Sequence, residues 1–351
     1  MRVLLTGAAG FIGTAIAALL RDAGHQVVGV DAMVPQAHRA SAKLPEGTHR
    51  LDVREAGASA GGWAGMLEGV DVVCHQAAMV GAGVTVADLP LYASHNDLGT
   101  AALLAAMSTA GVDRLVLASS MVVYGEGRYT CNRHGDQVPG PRSVRSLREG
   151  RFDATCPVCG AALDWALVTE DARLDPRSSY AASKVAQEHY TSAWARQVDA
   201  AAIALRYHNV YGPGMPRDTP YSGVAAIFRS ATAHGEPPRV FEDGAQMRDF
   251  VHVEDVARAN VLAIEKVGTL EGGSLASYNV CSGIPVSIAE VARYVAAGSD
   301  PALEPVLTGE FRSGDVRHVV ASPAKAEAGL GFRARVTPEV GLARFATDPL
   351  R

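Results

Sequence analysis

The 351-residue sequence lacks several features that would assign it to a specialised class of protein. Its apolar runs are far shorter than the ~20 residues that a membrane-spanning helix needs. Its first residues, MRVLLTGAAGFIG, lack the basic, apolar and small-residue segments of a secretion signal. Basic residues are not in excess, because the formal net charge is −5. We therefore expect a cytoplasmic protein that binds neither nucleic acid nor a membrane.

Cysteine is also scarce, and its distribution excludes a disulfide framework. The five cysteines are an odd number with uneven spacing, unlike the paired cysteines of small secreted domains. Cys74 and Cys281 lie in apolar, strand-like runs, where a buried thiol acts as a small apolar side chain. The other three cysteines share one segment of the chain with a histidine.

The first half of the chain alternates apolar runs with helical patterns. Strands are predicted at residues 3–5, 26–30, 70–74, 114–118 and 201–206, and helices at residues 11–22, 92–110 and 178–197. Such alternation predicts right-handed βαβ units and an α/β fold of the Rossmann type, with a doubly wound parallel sheet.

A glycine-rich segment, GAAGFIG, connects the first predicted strand to the first predicted helix. The glycines allow a tight turn, and the N-terminus of the helix offers free N–H groups to a pyrophosphate. This context between strand and helix indicates a dinucleotide site. Asp31, at the end of the second strand, can accept hydrogen bonds from both ribose hydroxyls and would repel a 2′-phosphate, which favours NAD over NADP. The residues of the turn expected to bind NAD are Gly7, Gly10, Phe11, Ile12 and Gly13.

The domain organisation follows from a change of pattern near residue 212. Beyond Gly212-Pro213-Gly214, turn signals become dense and the regular alternation ends. We predict an NAD-binding domain at residues 1–211 and mainly a smaller substrate-binding lobe at residues 212–351. Residues from about 126 to 170 have little periodicity and are predicted to be an insertion in the first domain.

Three residues are candidates for catalysis. Tyr180 and Lys184 are one turn apart on one face of a predicted helix. A neighbouring ammonium and a positive nicotinamide would both lower the pKa of the Tyr180 phenol, which would then act as a base. Lys184 could also hold the nicotinamide ribose. Ser120 follows a predicted strand at the carboxyl edge of the sheet, where ligands of such sheets bind.

These motifs resemble the extended short-chain dehydrogenase/reductases, and among them the NAD-dependent epimerase/dehydratase family, over nearly the whole chain. The resemblance implies an NAD-dependent enzyme that acts on a nucleotide-diphosphate sugar. By the same resemblance Asp52 and Val53 recognise adenine, and Asn209 and Arg248 bind the substrate diphosphate. The further cofactor-lining residues that it implies are Ala77, Ala78, Asn96, Ser119 and Tyr207. Residues 312–317, here called the late loop, resemble a loop that closes over the nucleoside, and Asp315 is the implied binding residue in it.

The expected reaction is epimerisation at C4 through a transient 4-keto sugar. Family dehydratases have an Asp-Glu pair directly after the active-site hydroxyl residue, whereas this chain has Met121 and Val122, which cannot transfer a proton. A uronate decarboxylase or a 4-keto reductase on the same scaffold remains an alternative, and a non-catalytic NAD-binding protein is a further one. His208 departs from the family pattern, in which an apolar aromatic residue is usual at this position.

The predicted insertion contains two pairs of metal-ligand residues, Cys131 with His134 and Cys156 with Cys159. This spacing is typical of a structural Cys₃His zinc site; the alternative is a metal-free loop. The insertion resembles that of bacterial 4-epimerases that act on dTDP-L-rhamnose, as does the loop at residues 80–83. The resemblance implies dTDP-L-rhamnose and dTDP-6-deoxy-L-talose as the sugar pair, UDP-sugars as the alternative, and a homodimer.

Overall fold

The computed structural model describes residues 1–35, 37–38, 42–57, 62–63, 65–81, 86–217, 223–299 and 303–351. The strands are β1 Arg2–Thr6, β2 Gln26–Asp31, β3 Thr48–Arg50, β4 Val72–His75, β5 Arg114–Ser120, β6 Arg128–Cys131, β7 Gly135–Gln137, β8 Asp164–Ala166, β9 Ala201–Tyr207, β10 Asn209–Tyr211, β11 Arg239–Val240, β12 Met247–His252, β13 Ser274–Val280, β14 Pro285–Ser287 and β15 Val306–Leu307. The α-helices are α1 Phe11–Asp22, α2 Leu89–Tyr92, α3 Gly99–Ala110, α4 Val144–Arg148, α5 Ser179–Val198, α6 Val224–Ala233, α7 Val253–Val267, α8 Ile288–Ser299, α9 Ala324–Leu330 and α10 Pro338–Phe345. Short 3₁₀ turns lie at Val53–Glu55, Val86–Asp88 and Met121–Tyr124, and a π-helix at Ala93–Leu98.

Seven strands of the described chain form one parallel sheet in the order β3-β2-β1-β4-β5-β9-β13. Apolar side chains from α1 and α7 cover one face, and those from α3 and α5 cover the other. Strands β2 and β3 lie on one side of β1, and β4, β5, β9 and β13 lie on the other. The strand order therefore reverses between β1 and β4. The carboxyl ends of the strands therefore open a crevice beside the β1–α1 turn. The predicted Rossmann fold is confirmed.

The helix predicted at residues 92–110 is in fact a composite. It begins as α2, passes through the π-helix Ala93–Leu98, and continues as α3. The π-helix carries Asn96, whose side chain is fully buried and hydrogen-bonded to the main chain of Met79. Such π segments are frequent at functional sites because they redirect a side chain that a regular helix would place elsewhere.

The C-terminal part of the chain builds a second apolar cluster and also returns to the large sheet. Helices α6, α8 and α10 enclose the cluster, to which Phe228, Val291 and Phe345 belong. Strand β13, however, pairs with β9 along its whole length and forms the edge of the large sheet. The sequence pattern did not predict this strand as a member of that sheet. Residues 212–351 thus contribute to both parts of the molecule.

Residues 126–170 contain a small unit with its own sheet and core. Strands β6, β7 and β8 form an antiparallel sheet. Tyr129, Ala154 and Leu163 are buried in this unit together with Cys131 and Cys156. In the described part of the chain, no helix has the length and apolarity that a membrane crossing requires.

Candidate active site

The β1–α1 turn has the geometry of a dinucleotide cradle. Gly7 adopts φ +67°, and its carbonyl accepts a hydrogen bond of 2.9 Å from the Gly10 N–H. A Cβ atom on Gly7 would lie 2.8 Å from the Ala77 nitrogen, and one on Gly13 would overlap the Gly7 carbonyl oxygen. Both positions therefore require glycine. The first N–H groups of α1 have no partner within the helix, and such groups can bind an anion such as a pyrophosphate.

Asp31 lies at the end of β2 beside this turn. Its carboxylate accepts hydrogen bonds from the N–H groups of Ala9 (3.0 Å) and Met33 (2.8 Å) and forms an ion pair of 3.2 Å with His38. Burial acts to raise the pKa of Asp31, but these hydrogen bonds and the charge of His38 outweigh it, so the pKa is lowered. The carboxylate is therefore ionised at neutral pH. His38 was not identified from the sequence, since no local motif marks it.

One cavity of about 500 Å³ joins most of the predicted residues. It extends from the glycine turn, past the end of β2, to the residues that follow β5. The predicted residues that line it are Gly7, Gly10, Phe11, Ile12, Gly13, Asp31, Asp52, Val53, Ala77, Ala78, Ser119, Ser120, Tyr180, Lys184, Tyr207 and Asn209. Val80, in the loop at residues 80–83, also lines the cavity. Ala82 and Gly83 of the same loop are outside the described residues.

Asn96 is close to the cavity but does not line it. Its side-chain oxygen accepts from the Met79 N–H at 2.7 Å, and its amide group donates to the Met79 carbonyl and to the Ser183 hydroxyl. Because Ser183 belongs to α5, Asn96 connects the loop after β4 to the helix of Tyr180 and Lys184. It therefore holds two walls of the cavity together.

Tyr180 and Lys184 converge with Ser120 at the far end of the cavity. The Lys184 ammonium lies 5.8 Å from the centroid of the Tyr180 ring and donates to the Ala118 carbonyl at 2.9 Å. Burial raises the pKa of Tyr180 to about 12, and a hydrogen bond with Ser120 opposes this shift. In the protein without cofactor, the phenol is thus protonated at neutral pH. The lowering that the sequence led us to expect would have to come from the charge of a bound nicotinamide.

Burial also lowers the pKa of Lys184 to about 7, although Glu188 acts in the opposite direction. Between pH 7 and the ordinary lysine pKa, the unfolded chain binds a proton that the folded chain does not. Stability of the cofactor-free protein therefore rises with pH in this window, and the full cost of burying the ammonium applies below pH 7.

We predict that Lys184→Met stabilises the cofactor-free protein while it removes catalysis. The melting temperature should rise by roughly 2–4 °C at pH 6, and by less at pH 9, because an apolar side chain replaces a buried cation. Thermal unfolding at both pH values measures this effect, with the exposed Lys266→Met as the control. A Lys184→Met protein that is less stable than wild type at pH 6 would contradict it.

A buried ionic pair under the cavity was missed in the sequence. Glu188 lies one turn beyond Lys184 on α5, accepts a 2.5 Å hydrogen bond from Ser119, and forms a 2.7 Å ion pair with Arg206 of β9. Both charged side chains are almost completely buried. The pair fixes Ser119 and joins α5 to the sheet. The i, i+4, i+8 spacing of Tyr180, Lys184 and Glu188 was a signal that could have identified it.

Residues 207–209 form the wall of the cavity between the two lobes. The Tyr207 hydroxyl donates to the Gln76 side chain at 3.0 Å and accepts from the Asn260 amide at 2.8 Å, and the Asn209 amide donates to the Asp249 carbonyl at 2.8 Å. His208 is buried, and neither ring nitrogen has a hydrogen-bond partner among the described residues. Burial lowers the pKa of His208 to about 3, so the imidazole is neutral.

Arg248 and Asp315 are not among the described residues that line the cavity. The Arg248 guanidinium donates to the main-chain carbonyls of Val316 (2.6 Å) and Arg317 (2.8 Å). The Asp315 carbonyl accepts a 2.7 Å hydrogen bond from Arg142 of the insertion. As placed, Arg248 therefore holds the main chain of the late loop. Its hydrogen bonds to the carbonyls of Met247, Val316 and Arg317 use three of its five N–H groups, so a contact with a diphosphate does not require any of these bonds to break.

The four predicted metal ligands are close together. The Cys131 sulfur lies 3.6 Å from His134 Nδ1 and 3.8 Å from the Cys159 sulfur, and the Cys156 sulfur lies 3.5 Å from His134 Nδ1. All four ligand atoms lie within 4.8 Å of one another. Ligands at about 2.0–2.3 Å from one tetrahedral ion are separated by about 3.5–3.8 Å, so these distances fit a single ion.

The parallel sheet, its glycine turn and the Ser/Tyr/Lys set beside one cavity define an extended short-chain dehydrogenase/reductase. The NAD dependent epimerase/dehydratase family matches residues 3–144 and 154–281, and the chain belongs to this family. It is 33% identical to a dTDP-L-rhamnose 4-epimerase of Burkholderia thailandensis, across 99% of this chain and 94% of that protein. It is 31% identical to a UDP-glucose 4-epimerase of Mycolicibacterium smegmatis, across 98% and 97%. The crystal structure of Thermus thermophilus UDP-glucose 4-epimerase in complex with NAD is 31% identical, with a TM-score of 0.74 and coverage of 99% and 98%.

Proposed function

We propose that this protein is an NAD-dependent 4-epimerase of a nucleotide-diphosphate sugar, which acts through a transient 4-keto intermediate. One observation carries the proposal: Ser120, Tyr180 and Lys184 lie at one end of the same cavity whose other end is the glycine turn. A single bound dinucleotide can reach from the turn to the three side chains. The reaction has no net redox change, so the cofactor need not be exchanged.

NAD fits the residues present. A Cβ at position 7 or 13 would disrupt the cradle, and the ionised Asp31 can accept ribose hydroxyls. When bound, NAD supplies the acceptor that takes a hydride and returns it. Tyr180 then takes the proton of the sugar hydroxyl at C4 and gives it back after the keto sugar has turned over. Ser120 hydrogen-bonds the same oxygen, and Lys184 in its protonated form provides positive charge beside the phenol.

Binding of the sugar nucleotide is assigned to the side of the cavity that faces the C-terminal lobe. Asn209 lines this side, so its amide can reach a diphosphate oxygen. We assign Arg248 to the same diphosphate, through the N–H groups that its bonds to the main chain of Met247, Val316 and Arg317 leave unused. Asp315, in the same loop, is the third residue that we assign to the nucleotide.

The substrate pair that we propose is dTDP-L-rhamnose and dTDP-6-deoxy-L-talose. Its support is the 33% identity to the Burkholderia enzyme and the resemblance of the Cys/His insertion. UDP-glucose and UDP-glucuronate are the alternatives, because a UDP-glucose 4-epimerase is almost as similar. No side chain in the cavity has chemistry that selects rhamnose by itself.

The other reactions of this scaffold are less well supported. Met121 and Val122 line the cavity and cannot transfer protons, which disfavours dehydration. A uronate decarboxylase would release carbon dioxide, and a 4-keto reductase would consume added NADH. A non-catalytic NAD-binding protein would not require a complete set of Ser120, Tyr180 and Lys184.

The test is a panel of dTDP- and UDP-sugars incubated with the purified protein without added cofactor. The configuration at C4 is followed by NMR. We expect epimerisation of dTDP-L-rhamnose, with no carbon dioxide and no net change in NADH. Epimerisation of UDP-sugars alone would replace the proposed substrate, and absence of any C4 epimerisation would refute the function.

We also propose that Cys131, His134, Cys156 and Cys159 hold a structural zinc ion. Three of the distances among their ligand atoms, 3.5–3.8 Å, match tetrahedral coordination of one ion, and all four atoms lie within 4.8 Å of one another. A closed set of four ligands leaves no open position for a substrate. The ion would stabilise a unit whose own apolar core is small.

Elemental analysis of the purified protein should find about one zinc per chain. Cys156→Ser should reduce the zinc content to near zero and lower the melting temperature, because the ligand set is broken. Cys281→Ala, which changes a buried cysteine outside the cluster, is the control and should retain the metal. If wild-type protein prepared with zinc in the medium contains no zinc, the prediction is contradicted.

A homodimer is proposed from the family resemblance, with two helices of each subunit at the interface. Exposed apolar side chains at Leu98 and Tyr190, next to α3 and on α5, are consistent with such pairing. Light scattering of the purified protein at several concentrations tests it. A monomeric mass at all concentrations would reject the dimer.

A further inference from the structure

Residues 349–351 lie against the loop that follows β10. The Gly214 N–H donates to the Pro349 carbonyl at 2.7 Å, and the Arg351 N–H donates to the Met215 carbonyl at 3.3 Å. The Arg229 guanidinium also donates to the Asp348 carbonyl at 3.0 Å. These hydrogen bonds fix the main chain of this segment.

The Arg351 side chain crosses from this segment to the glycine turn. Its Nη1 donates to the Ala9 carbonyl at 2.8 Å, and the residue lines the same cavity as Gly10, Phe11 and Asp31. Its Nε is buried and has no hydrogen-bond partner among the described residues. Buried donors are rarely left unpaired, so this nitrogen indicates a partner that occupies the cavity.

The charges around the guanidinium indicate that the partner is an anion. Asp31 is the carboxylate that acts on Arg351 electrostatically, and it is itself paired with His38. In the described chain, Arg351 forms no ion pair with a carboxylate within 4 Å. The N-terminus of α1, with its partial positive charge, adjoins the same space. One diphosphate would pair with both the Arg351 guanidinium and the N-terminus of α1.

We propose that Arg351 binds the diphosphate of NAD, so that the segment at residues 349–351 closes the cofactor site over the glycine turn. This inference rests on the proposed function in one respect: it takes NAD as the dinucleotide that the protein binds. An arginine in this position provides charge-assisted hydrogen bonds that the main chain of the turn cannot provide. Because Arg351 is held by the loop at residues 214–217, the contact also couples cofactor retention to the lobe that binds the substrate.

The test compares three variants by their affinity for NAD, ADP and adenosine, measured by titration calorimetry after removal of bound cofactor. Arg351→Gln removes the charge, Arg351→Lys keeps it, and Arg335→Gln is the control for an exposed arginine. We expect Arg351→Gln to bind NAD and ADP at least tenfold more weakly, with adenosine unchanged, since adenosine has no diphosphate. Arg351→Lys should lose less affinity for NAD and ADP, and Arg335→Gln should bind both with wild-type affinity.

Two results would overturn the proposal. Unchanged affinity of Arg351→Gln for ADP would show that the guanidinium does not contact the diphosphate. An equal loss of affinity for ADP and for adenosine would show that the substitution acts by changing the shape of the glycine turn. The measurement needs no turnover, so a protein that binds NAD as expected but epimerises no sugar would refute the proposed function and leave this inference standing.

Discussion

Tyr180→Phe is expected to reduce the epimerisation rate by about 10²–10⁴-fold while the protein still binds NAD. Phenylalanine keeps the ring, which lies 5.9 Å from the Tyr92 ring and 5.8 Å from the Lys184 ammonium. Only the hydroxyl is lost. Since that hydroxyl is the group assigned to move the C4 proton, the loss should be in kcat rather than in substrate affinity.

Single-turnover kinetics and the NAD content of the purified variant together check this prediction. Tyr190→Phe is a matched control, because Tyr190 lies on the same helix with its side chain half exposed. We expect wild-type rates for the control. A Tyr180→Phe enzyme with the wild-type rate would disprove the assignment of the base, and one that has lost NAD would show that the hydroxyl has a structural role.

Gly13→Ala is expected to abolish NAD binding in practice. The added Cβ would overlap the Gly7 carbonyl oxygen and would lie 2.9 Å from the Gly7 carbonyl carbon. Both contacts are with main-chain atoms, which cannot rotate away as a side chain can. The start of α1 must therefore move from the turn, and the N–H groups that face the pyrophosphate move with it. We expect affinity for NAD to fall at least 100-fold and stability to fall by about 1–3 kcal/mol.

Gly140→Ala is the control for this substitution. Gly140 has no positive φ, and an added Cβ would meet no atom within 4 Å. NAD titration and thermal unfolding should give wild-type values for Gly140→Ala and reduced values for Gly13→Ala. Normal NAD affinity in Gly13→Ala would mean that the pyrophosphate does not bind at this turn.

The parts of the fold that depend on local sequence were predicted correctly. Helix α1 has the predicted bounds, and strands β1, β2, β5 and β9 lie within a few residues of their predicted positions. The reason is that a buried parallel strand needs a continuous apolar run, and a glycine turn followed by an apolar periodicity specifies the helix after it. The glycine turn and Tyr180, each identified from a local motif, line one cavity in the structure.

The features that depend on distant partners were not predicted. Strand β13 joins the sheet because it pairs with β9, about 70 residues earlier, and no pattern within β13 reveals that partner. Arg351 reaches Ala9 across almost the entire chain. The hydrogen bonds by which Arg248 holds carbonyls of the late loop were also not predicted, although buried carbonyls need donors and its guanidinium supplies several. Such contacts are tertiary and leave no local signal.

The insertion illustrates both situations. Its ligand spacing was sufficient to predict the cluster of Cys131, His134, Cys156 and Cys159. Its attachment to the rest of the protein was not visible in the sequence. Arg317, almost completely buried, forms ion pairs with Asp153 of the insertion and with Glu242 and Asp243 of the C-terminal part. The insertion is therefore anchored to the late loop by charged groups that are far apart in the sequence.

The central claim is that one bound NAD takes a hydride from C4 of the sugar and returns it to the same carbon. A substrate with deuterium at C4, incubated with the enzyme in ordinary water without added cofactor, tests it most directly. The account predicts that the epimerised product retains the deuterium at C4, as observed by NMR and mass spectrometry. Loss of the deuterium to water during epimerisation would contradict it, because the hydrogen would then have left as a proton.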